Sequence, residues 1–228
     1  MLGLKQSLSL NSNRILGGWT PDSEGTDLVA WYKNKEGITL NGSHVSAWAD
    51  SSGNDHNMVQ YTVSEQPAYY AVTGALIFDK TASQNLQTTS QISISGDFTV
   101  GVRLDPSSVN VIVLGDNTTG ENEFFKITTS TSLRFKTDGS SVDITVNDGN
   151  LTDDNYIVVT RASNVVSLYV NGTLQTDTET LAGIVDIDAI GVRAVDNNPY
   201  DGVIQEVQIF RTTSSDLTTN VNDYLSNL

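Results

Sequence analysis

Two short acidic runs contain residues that hydrolysis of a glycosidic bond would need. VDIDAI supplies Asp186 and Asp188 two positions apart, and QEVQIF supplies Glu206. Two carboxyl groups on one face of a strand could act as nucleophile and acid on the same bond. The second run has Gln208 where its second carboxylate would be required, so it lacks half of such a pair. We therefore predict that the protein is not an enzyme.

Other residue types that commonly carry catalysis are scarce. His44 and His56 are the only histidines, and each lies in a polar turn region. Histidines in such loops are usually solvated, and a Ser-His-Asp triad would have to use one of them. The chain has no cysteine, which excludes disulfides, thiolate metal sites and a cysteine nucleophile. Nucleophilic catalysis therefore has no good candidate.

Two acidic loops are candidates for binding a hard cation. DNTTGENE, residues 116–123, contains Asp116, and DNNPYDG, residues 196–202, contains Asp196 and Asp201. Carboxylates and loop carbonyls are the oxygen ligands that Ca²⁺ prefers. The same residues are also typical of ordinary turns, and neither loop has the spacing of an EF-hand. The sequence indicates no other cofactor, and we expect any bound metal to be calcium, held by Asp116, Asp196 or Asp201 together with loop carbonyls.

The chain is strongly acidic. Its 228 residues include 12 lysines and arginines against 27 aspartates and glutamates, a formal net charge of -15. Such a surface repels phosphate backbones and anionic lipid head groups, so we expect no nucleic-acid partner. The mean hydropathy is -0.20. No apolar run is long enough to span a bilayer, so we expect no membrane insertion.

The elements that would position these residues are short strands. SLYVNGTLQT and LRFKTDGSSVDITV each alternate apolar and polar residues around a turn, Asn171-Gly172 in the first and Asp138-Gly139 in the second. These patterns predict two β-hairpins. Further strand candidates are ALIFD, DFTVGVRL, NVIVLGD, YIVVTRA and GVIQEVQIF. Helical periodicity is confined to about residues 214–226, so we predict an all-β fold with one short C-terminal helix.

The first part of the chain differs in composition from the rest. Residues 1–25 are rich in glycine and poor in strand-like runs, whereas residues 26–228 contain no comparable break. We expect an N-terminal arm or linker followed by one domain. The arm either docks on a partner in a larger assembly or folds back across its own domain. The side chains expected to make the partner contact are Leu2, Leu4, Leu8 and Trp19.

Three separated blocks carry a family resemblance. They are DLVAWYKNKEGITLNGSHVSAWADSSGN, NYIVVTRASNVVSLYVNGTL and DGVIQEVQIFRTTSSDLTTNVNDYL. In this order they resemble concanavalin A-like, laminin G-like jelly-roll domains of the kind found in tailed-phage virion structural proteins. The resemblance covers residues 26–228 and implies a sandwich of two packed antiparallel sheets. Trp31 and Trp48 are then expected in its core, the alternative being an exposed tryptophan that stacks on a sugar.

The resemblance implies three functions. The preferred one is a non-catalytic virion component, a capsid decoration or a tail accessory protein. It would work within a homo- or hetero-oligomeric assembly and display a lectin-like sandwich that could bind host glycan. The second is a free lectin, secreted or on the cell surface. The third is a glucanase, but glucanases of this family carry a third acid where VDIDAI continues with Ala189 and Ile190.

Overall fold

The computed structural model describes residues 18–117, 123–138, 140–193 and 198–228. The strands are numbered in chain order, and the first nine are β1 (Leu28–Tyr32), β2 (Ile38–Asn41), β3 (His44–Trp48), β4 (Met58–Val59), β5 (Ala68–Tyr70), β6 (Ala75–Phe78), β7 (Leu86–Ile94), β8 (Phe98–Pro106) and β9 (Val111–Gly115). They are followed by β10 (Glu123–Thr129), β11 (Ser132–Lys136), β12 (Ser141–Thr145), β13 (Asn155–Ala162), β14 (Val165–Val170), β15 (Thr173–Leu174), β16 (Glu179–Thr180), β17 (Val185–Ile190) and β18 (Gly202–Phe210). The helix α1 spans Ser215–Ser226, and short 3-10 helices span Pro21–Asp27, Val63–Glu65 and Lys80–Ala82.

The strands form two antiparallel layers. In the first sheet, β18 pairs with β8, β8 with β13, and β13 with β14. The other edge of β18 is shared by β6 and β1, and the other edge of β14 by β15 and β16. The second sheet runs in the order β2, β3, β4, β7, β17, β9, β10, β11, β12. The strand β5 pairs with both β3 and β6 and so joins the two sheets.

The two layers pack face to face around one apolar core. Phe98 of β8 lies in the first sheet and Phe124 of β10 in the second, and their ring centroids are 5.4 Å apart. Trp48 is fully buried in the same core, and its indole nitrogen donates to Lys33 O at 3.1 Å. The predicted two-sheet jelly-roll sandwich is confirmed.

Both predicted hairpins are present. The strands β14 and β15 flank Asn171 and Gly172, whose φ values are 50° and 77°. Positive φ at both turn centres gives a backbone twist that matches the flanking strands, and Asn and Gly are the residues that adopt it most readily. The strands β11 and β12 pair across the second turn, of which Gly139 lies outside the described residues.

The helix α1 lies on the outer face of the first sheet. Ser214 caps its N-terminus by accepting a hydrogen bond from Leu217 N at 3.0 Å, as expected of a serine at this position. A Cβ atom at Gly101 of β8 would lie 2.5 Å from Val221 Cγ1, so the glycine permits the close approach of the helix. The helix and sheet together bury a second apolar cluster, formed by Leu28, Trp31, Val158, Phe210, Leu217, Val221 and Leu225.

Trp31 is therefore buried, but not between the two sheets. It belongs to the cluster beneath α1, where its side chain is 4% exposed. The sequence predicted its burial, and the location differs because its neighbours Ala30 and Tyr32 face the core, so Trp31 points to the opposite face of the strand, towards the helix. Neither Trp31 nor Trp48 is the exposed platform for a sugar that was the alternative.

Part of the expected arm packs on the sandwich. The ring of Trp19 lies 6.2 Å from that of Phe210 and 6.1 Å from that of Tyr224, and its indole nitrogen donates to Glu24 Oε1 at 2.7 Å. The 3-10 helix that follows leads directly into β1. For Trp19 the structure thus matches the fold-back alternative. The docking prediction for Leu2, Leu4 and Leu8 lies outside the described residues.

Arg161 fastens one end of the sandwich. It is fully buried on β13, and its guanidinium donates to Gly96 O at 3.0 Å, Gly183 O at 2.9 Å and Ile94 O at 3.3 Å. It also lies over the ring of Phe98, 4.8 Å from the centroid. Burial lowers the pKa of Arg161 from its usual value. One side chain thereby connects the ends of β7 and β13 with the segment before β17.

Candidate functional site

The acidic residues considered for hydrolysis lie in two different sheets. Asp186 and Asp188 are on β17 of the second sheet, whereas Glu206 is on β18 of the first. Asp186 accepts a hydrogen bond from Ser93, and Asp188, which is 2% exposed, accepts one from the backbone of Asn117. Because Asp188 is buried, it does not form an open pair with its neighbour on the strand.

Glu206 is a fully buried structural acid. Its carboxylate accepts hydrogen bonds from Trp31 Nε1 at 2.6 Å, from Asn34 N at 3.0 Å and from Gln208 Nε2 at 2.8 Å. Burial raises the pKa of Glu206, and the three hydrogen bonds, which favour the charged form, oppose that rise. The residue joins β1 to β18 beneath the helix. Gln208, which a hydrolase would replace with an acid, is its hydrogen-bond donor.

The loop after β3 organises the backbone. Asp50 accepts hydrogen bonds from Trp31 N at 2.9 Å, Ser52 N at 2.8 Å and His56 N at 3.2 Å. His56 Nδ1 lies 2.7 Å from Ser90 O, which ties this loop to β7. The WADSSGN segment is therefore a structural turn, with its side chains occupied by the fold.

Among the described residues, the predicted calcium ligands do not form a cluster. Asp116 is 1% exposed at the end of β9, and its Oδ1 accepts from Gln91 Nε2 at 3.2 Å. Asp201 lies before β18 and pairs with Lys80 at 3.3 Å. Asp196 lies outside the described residues. Among the residues that are described, no three or more His, Asp or Glu side chains form a group that could hold a metal ion.

A candidate site is a cleft beside α1, here called the tyrosine cleft. It has a volume of about 270 Å³ and is lined by Tyr156, Tyr169, Gly172, Ser215, Thr218, Thr219, Asn222 and Asp223. The helix contacts β8 and β13, so the neighbouring strand β14 is left beside its flank. Tyr169 stands opposite Val158 in the β13–β14 ladder, and Tyr156 lies diagonally across from it. Both rings are partly exposed.

The cleft combines aromatic rings with polar groups. In the part of the chain that the structure describes, the hydroxyls of Tyr156 and Tyr169 have no hydrogen-bond partner. Thr218 and Thr219 donate to the backbone carbonyls of Ser214 and Ser215, both at 2.8 Å, and each hydroxyl oxygen can still accept. The arrangement presents flat apolar surface on one wall and hydrogen-bonding groups on the other.

Neighbouring residues hold the two walls in place. Arg103 lies over the ring of Tyr156, 5.9 Å from the centroid, and donates to Leu225 O at 3.4 Å and Asp154 Oδ2 at 2.6 Å. Asn222 Nδ2 donates to Thr218 O at 2.9 Å. A Cβ atom at Gly172 would lie 3.3 Å from the hydroxyl of Tyr156, so the glycine leaves room for this ring. The wall of β13 is thus fixed to the helix by hydrogen bonds and ring contacts.

The sequence prediction did not identify this cleft. It placed Tyr156 near the start of a strand and Tyr169 in the alternating pattern of a hairpin, without assigning either a function. The available signal was that both tyrosines alternate with core residues and therefore point outward. The missing information was where the helix lies on that face.

The comparisons with known proteins concern the fold. A family profile described as the concanavalin A-like lectin/glucanases superfamily matches residues 78–217. No curated protein matches the sequence. Domain 4 of AbnA, an extracellular GH43 arabinanase from Geobacillus stearothermophilus solved with arabinotriose, is similar with a TM-score of 0.58 and 15% identity over 88% of this chain and 98% of that domain.

A second similar structure is the sialidase of Trypanosoma rangeli in complex with a difluorinated sugar acid. The TM-score is 0.57 and the identity 14% over 93% of this chain, which spans only 36% of the sialidase. At these identities the likeness concerns the fold alone. In the described residues, no helix is long and apolar enough to cross a membrane. With the sandwich, the hairpins and the matching profile in agreement, the chain belongs to the concanavalin A-like lectin/glucanases superfamily.

Proposed function

We propose that this protein is a non-catalytic carbohydrate-binding sandwich and that the tyrosine cleft is its binding site. The observation that carries the proposal is the pairing of two partly exposed tyrosine rings with a polar flank of the helix. A sugar presents C–H groups on its faces and hydroxyls around its rim, so it needs both kinds of surface. Aromatic rings with a few placed polar groups supply them.

The dimensions of the cleft and the family both support this function. The cleft volume of about 270 Å³ lies just below the range of about 300–1,000 Å³ found for drug-sized ligands. It therefore suits one sugar ring at the end of a chain or on a branch. The AbnA domain with this fold was solved in complex with arabinotriose, and it is matched over 98% of its length.

A binding assay tests the proposal. We expect the protein to bind members of a panel of immobilised oligosaccharides, and Tyr169→Ala to weaken that binding at least tenfold, which corresponds to about 1.4 kcal/mol. Thr219→Trp should have a similar effect by filling the cleft from an exposed helix position. The matched control is Tyr61→Ala, at a tyrosine that is 88% exposed and outside the cleft. Equal binding by all three variants would refute the assignment of the site.

The absence of catalysis is a separate part of the proposal. It is supported by the burial of Asp188 and Glu206 and by their positions in different sheets. The protein should release no sugar when it is incubated with β-glucans and arabinan. Hydrolysis that disappears in Asp186→Asn or Glu206→Gln would overturn this part of the proposal while leaving the binding site untested by that result.

We also propose that the sandwich is carried on a larger particle, a phage virion. The support is the apolar composition of the N-terminal arm, with Leu2, Leu4 and Leu8, and the resemblance to virion domains. The sandwich would then be displayed outward with its cleft available to glycans on a host surface. Residues 1–17 are the segment to test for attachment, because Trp19 is already engaged by the sandwich itself.

A further inference from the structure

The tyrosine cleft contains one formal charge, and it is negative. Among the described residues that line the cleft, Asp223 is the single charged side chain, and no lysine, arginine or histidine accompanies it. Asp223 is exposed on α1, and its carboxylate makes no hydrogen bond or ion pair within the described chain. The carboxylate is therefore free to accept hydrogen bonds from a ligand.

The arginine beside the wall of the cleft does not offset this charge. Arg103 stands over the ring of Tyr156, but its Nη2 is 2.6 Å from Asp154 Oδ2 and its Nη1 donates to Leu225 O. Its charge is thus matched by a carboxylate outside the cleft. The remaining nitrogen, Nε, has no partner in the described residues but is buried.

The positive end of the helix dipole does not make the charge of the cleft positive either. Ser215 lies in the first turn of α1, where the helix dipole is equivalent to roughly half a positive charge. Ser214 already accepts from Leu217 N, and Asp216 places a full negative charge in the same turn. Together with Asp223, these groups leave the helical wall of the cleft negative.

We infer that the tyrosine cleft selects uncharged sugars and rejects sugars that carry a carboxylate, with Asp223 as the residue that determines this specificity. The inference rests on the proposed glycan-binding function and adds the class of ligand to it. Asp223 can accept hydrogen bonds from the hydroxyls of a neutral sugar, whereas it repels a ligand carboxylate held a few ångströms away. The net charge of -15 adds to this repulsion over longer distances.

The experiment compares neutral and acidic probes on the full chain. The neutral probes are lactose, arabinotriose and maltotriose, and the acidic ones are α2,3-sialyllactose and trigalacturonate, each measured by calorimetry at low and at high salt. We expect at least one neutral probe to bind at least tenfold more tightly than either acidic probe. High salt should narrow that ratio, because the Debye length shrinks as ionic strength rises.

Variants of matched charge isolate the role of Asp223. Asp223→Lys should reduce the preference for neutral probes at least fivefold, whereas Asp143→Lys should leave it unchanged. The control changes the net charge equally at an exposed residue of β12 in the other sheet. An acidic probe that binds the unmodified protein as tightly as the neutral ones would overturn the inference and leave glycan binding intact. Binding of no probe would overturn both.

Discussion

Replacing Arg161 with methionine should destabilise the protein strongly without changing its cleft. Methionine is long enough to keep the contact with Phe98 but cannot donate to Gly96, Gly183 or Ile94. A hydrogen bond from a charged donor contributes about 1.5–3 kcal/mol. The carbonyls of the two exposed glycines can regain water, while that of Ile94 lies in a buried residue. Replacing the buried cation with a neutral side chain also removes the free-energy cost of desolvating the charge, which offsets part of this loss of stability.

We therefore expect Arg161→Met to lower the free energy of unfolding by about 2–4 kcal/mol, and Arg161→Lys to lower it by less. Urea titration with linear extrapolation measures this change, provided that the slope with denaturant stays constant. Arg134→Met is the matched control. Arg134 is a half-exposed arginine that pairs with Asp143 at 2.9 Å, and such a pair contributes about 0–1 kcal/mol. A loss at Arg161 no larger than that at Arg134 would refute the structural reasoning.

Three further predictions concern pH, metal and the arm. Burial raises the pKa of Glu206 above its value in the unfolded chain, so the folded protein binds more protons than the unfolded protein. The contribution of Glu206 to the free energy of unfolding should therefore fall as pH rises from about 4.3 through the folded pKa. Glu206→Gln should flatten the pH dependence of the unfolding free energy in that window, and parallel curves for the two proteins would contradict this. If calcium binds at Asp116, Asp196 or Asp201, saturating calcium should raise the melting temperature, and less so in Asp116→Asn. An unchanged melting temperature in the parent protein would exclude such a site, in line with the absence of a metal-binding group among the described residues. Deleting residues 1–17 should leave the melting temperature nearly unchanged but prevent incorporation into the particle, whereas deleting residues 1–25 should also lower it because Trp19 is lost. Normal incorporation of the shorter deletion would exclude attachment by this segment.

Local patterns predicted the fold well because they act over a few residues. Asn171-Gly172 specifies its turn through the backbone conformations that the two residues allow, and the structure has positive φ at both. Ser214 marks the start of α1 through one hydrogen bond three residues away. In both cases the residues that determine the local structure lie within a few positions of it in the sequence.

The candidate site could not be predicted in the same way because its parts meet only in the folded chain. The alternating pattern shows that Tyr156 and Tyr169 face outward, but not that α1 covers β8 and β13 and stops beside β14. The position of the helix depends on Gly101, which accommodates Val221 and Leu225. Likewise, nothing near Glu206 in the sequence indicates that Trp31 is its partner.

The hydrogen bond between Trp31 and Glu206 joins residues 175 positions apart, so β1 cannot pair with β18 until almost the whole domain has been synthesised. On a ribosome that adds about 5–20 residues per second, β18 is synthesised roughly 9–35 s after β1, its partner strand. Throughout that interval the strand LVAWY exposes an apolar, unpaired edge of the kind that associates with other chains. The same long-range closure makes slow folding the expectation for this domain. During synthesis, β1 is therefore exposed to association with other chains until β18 emerges.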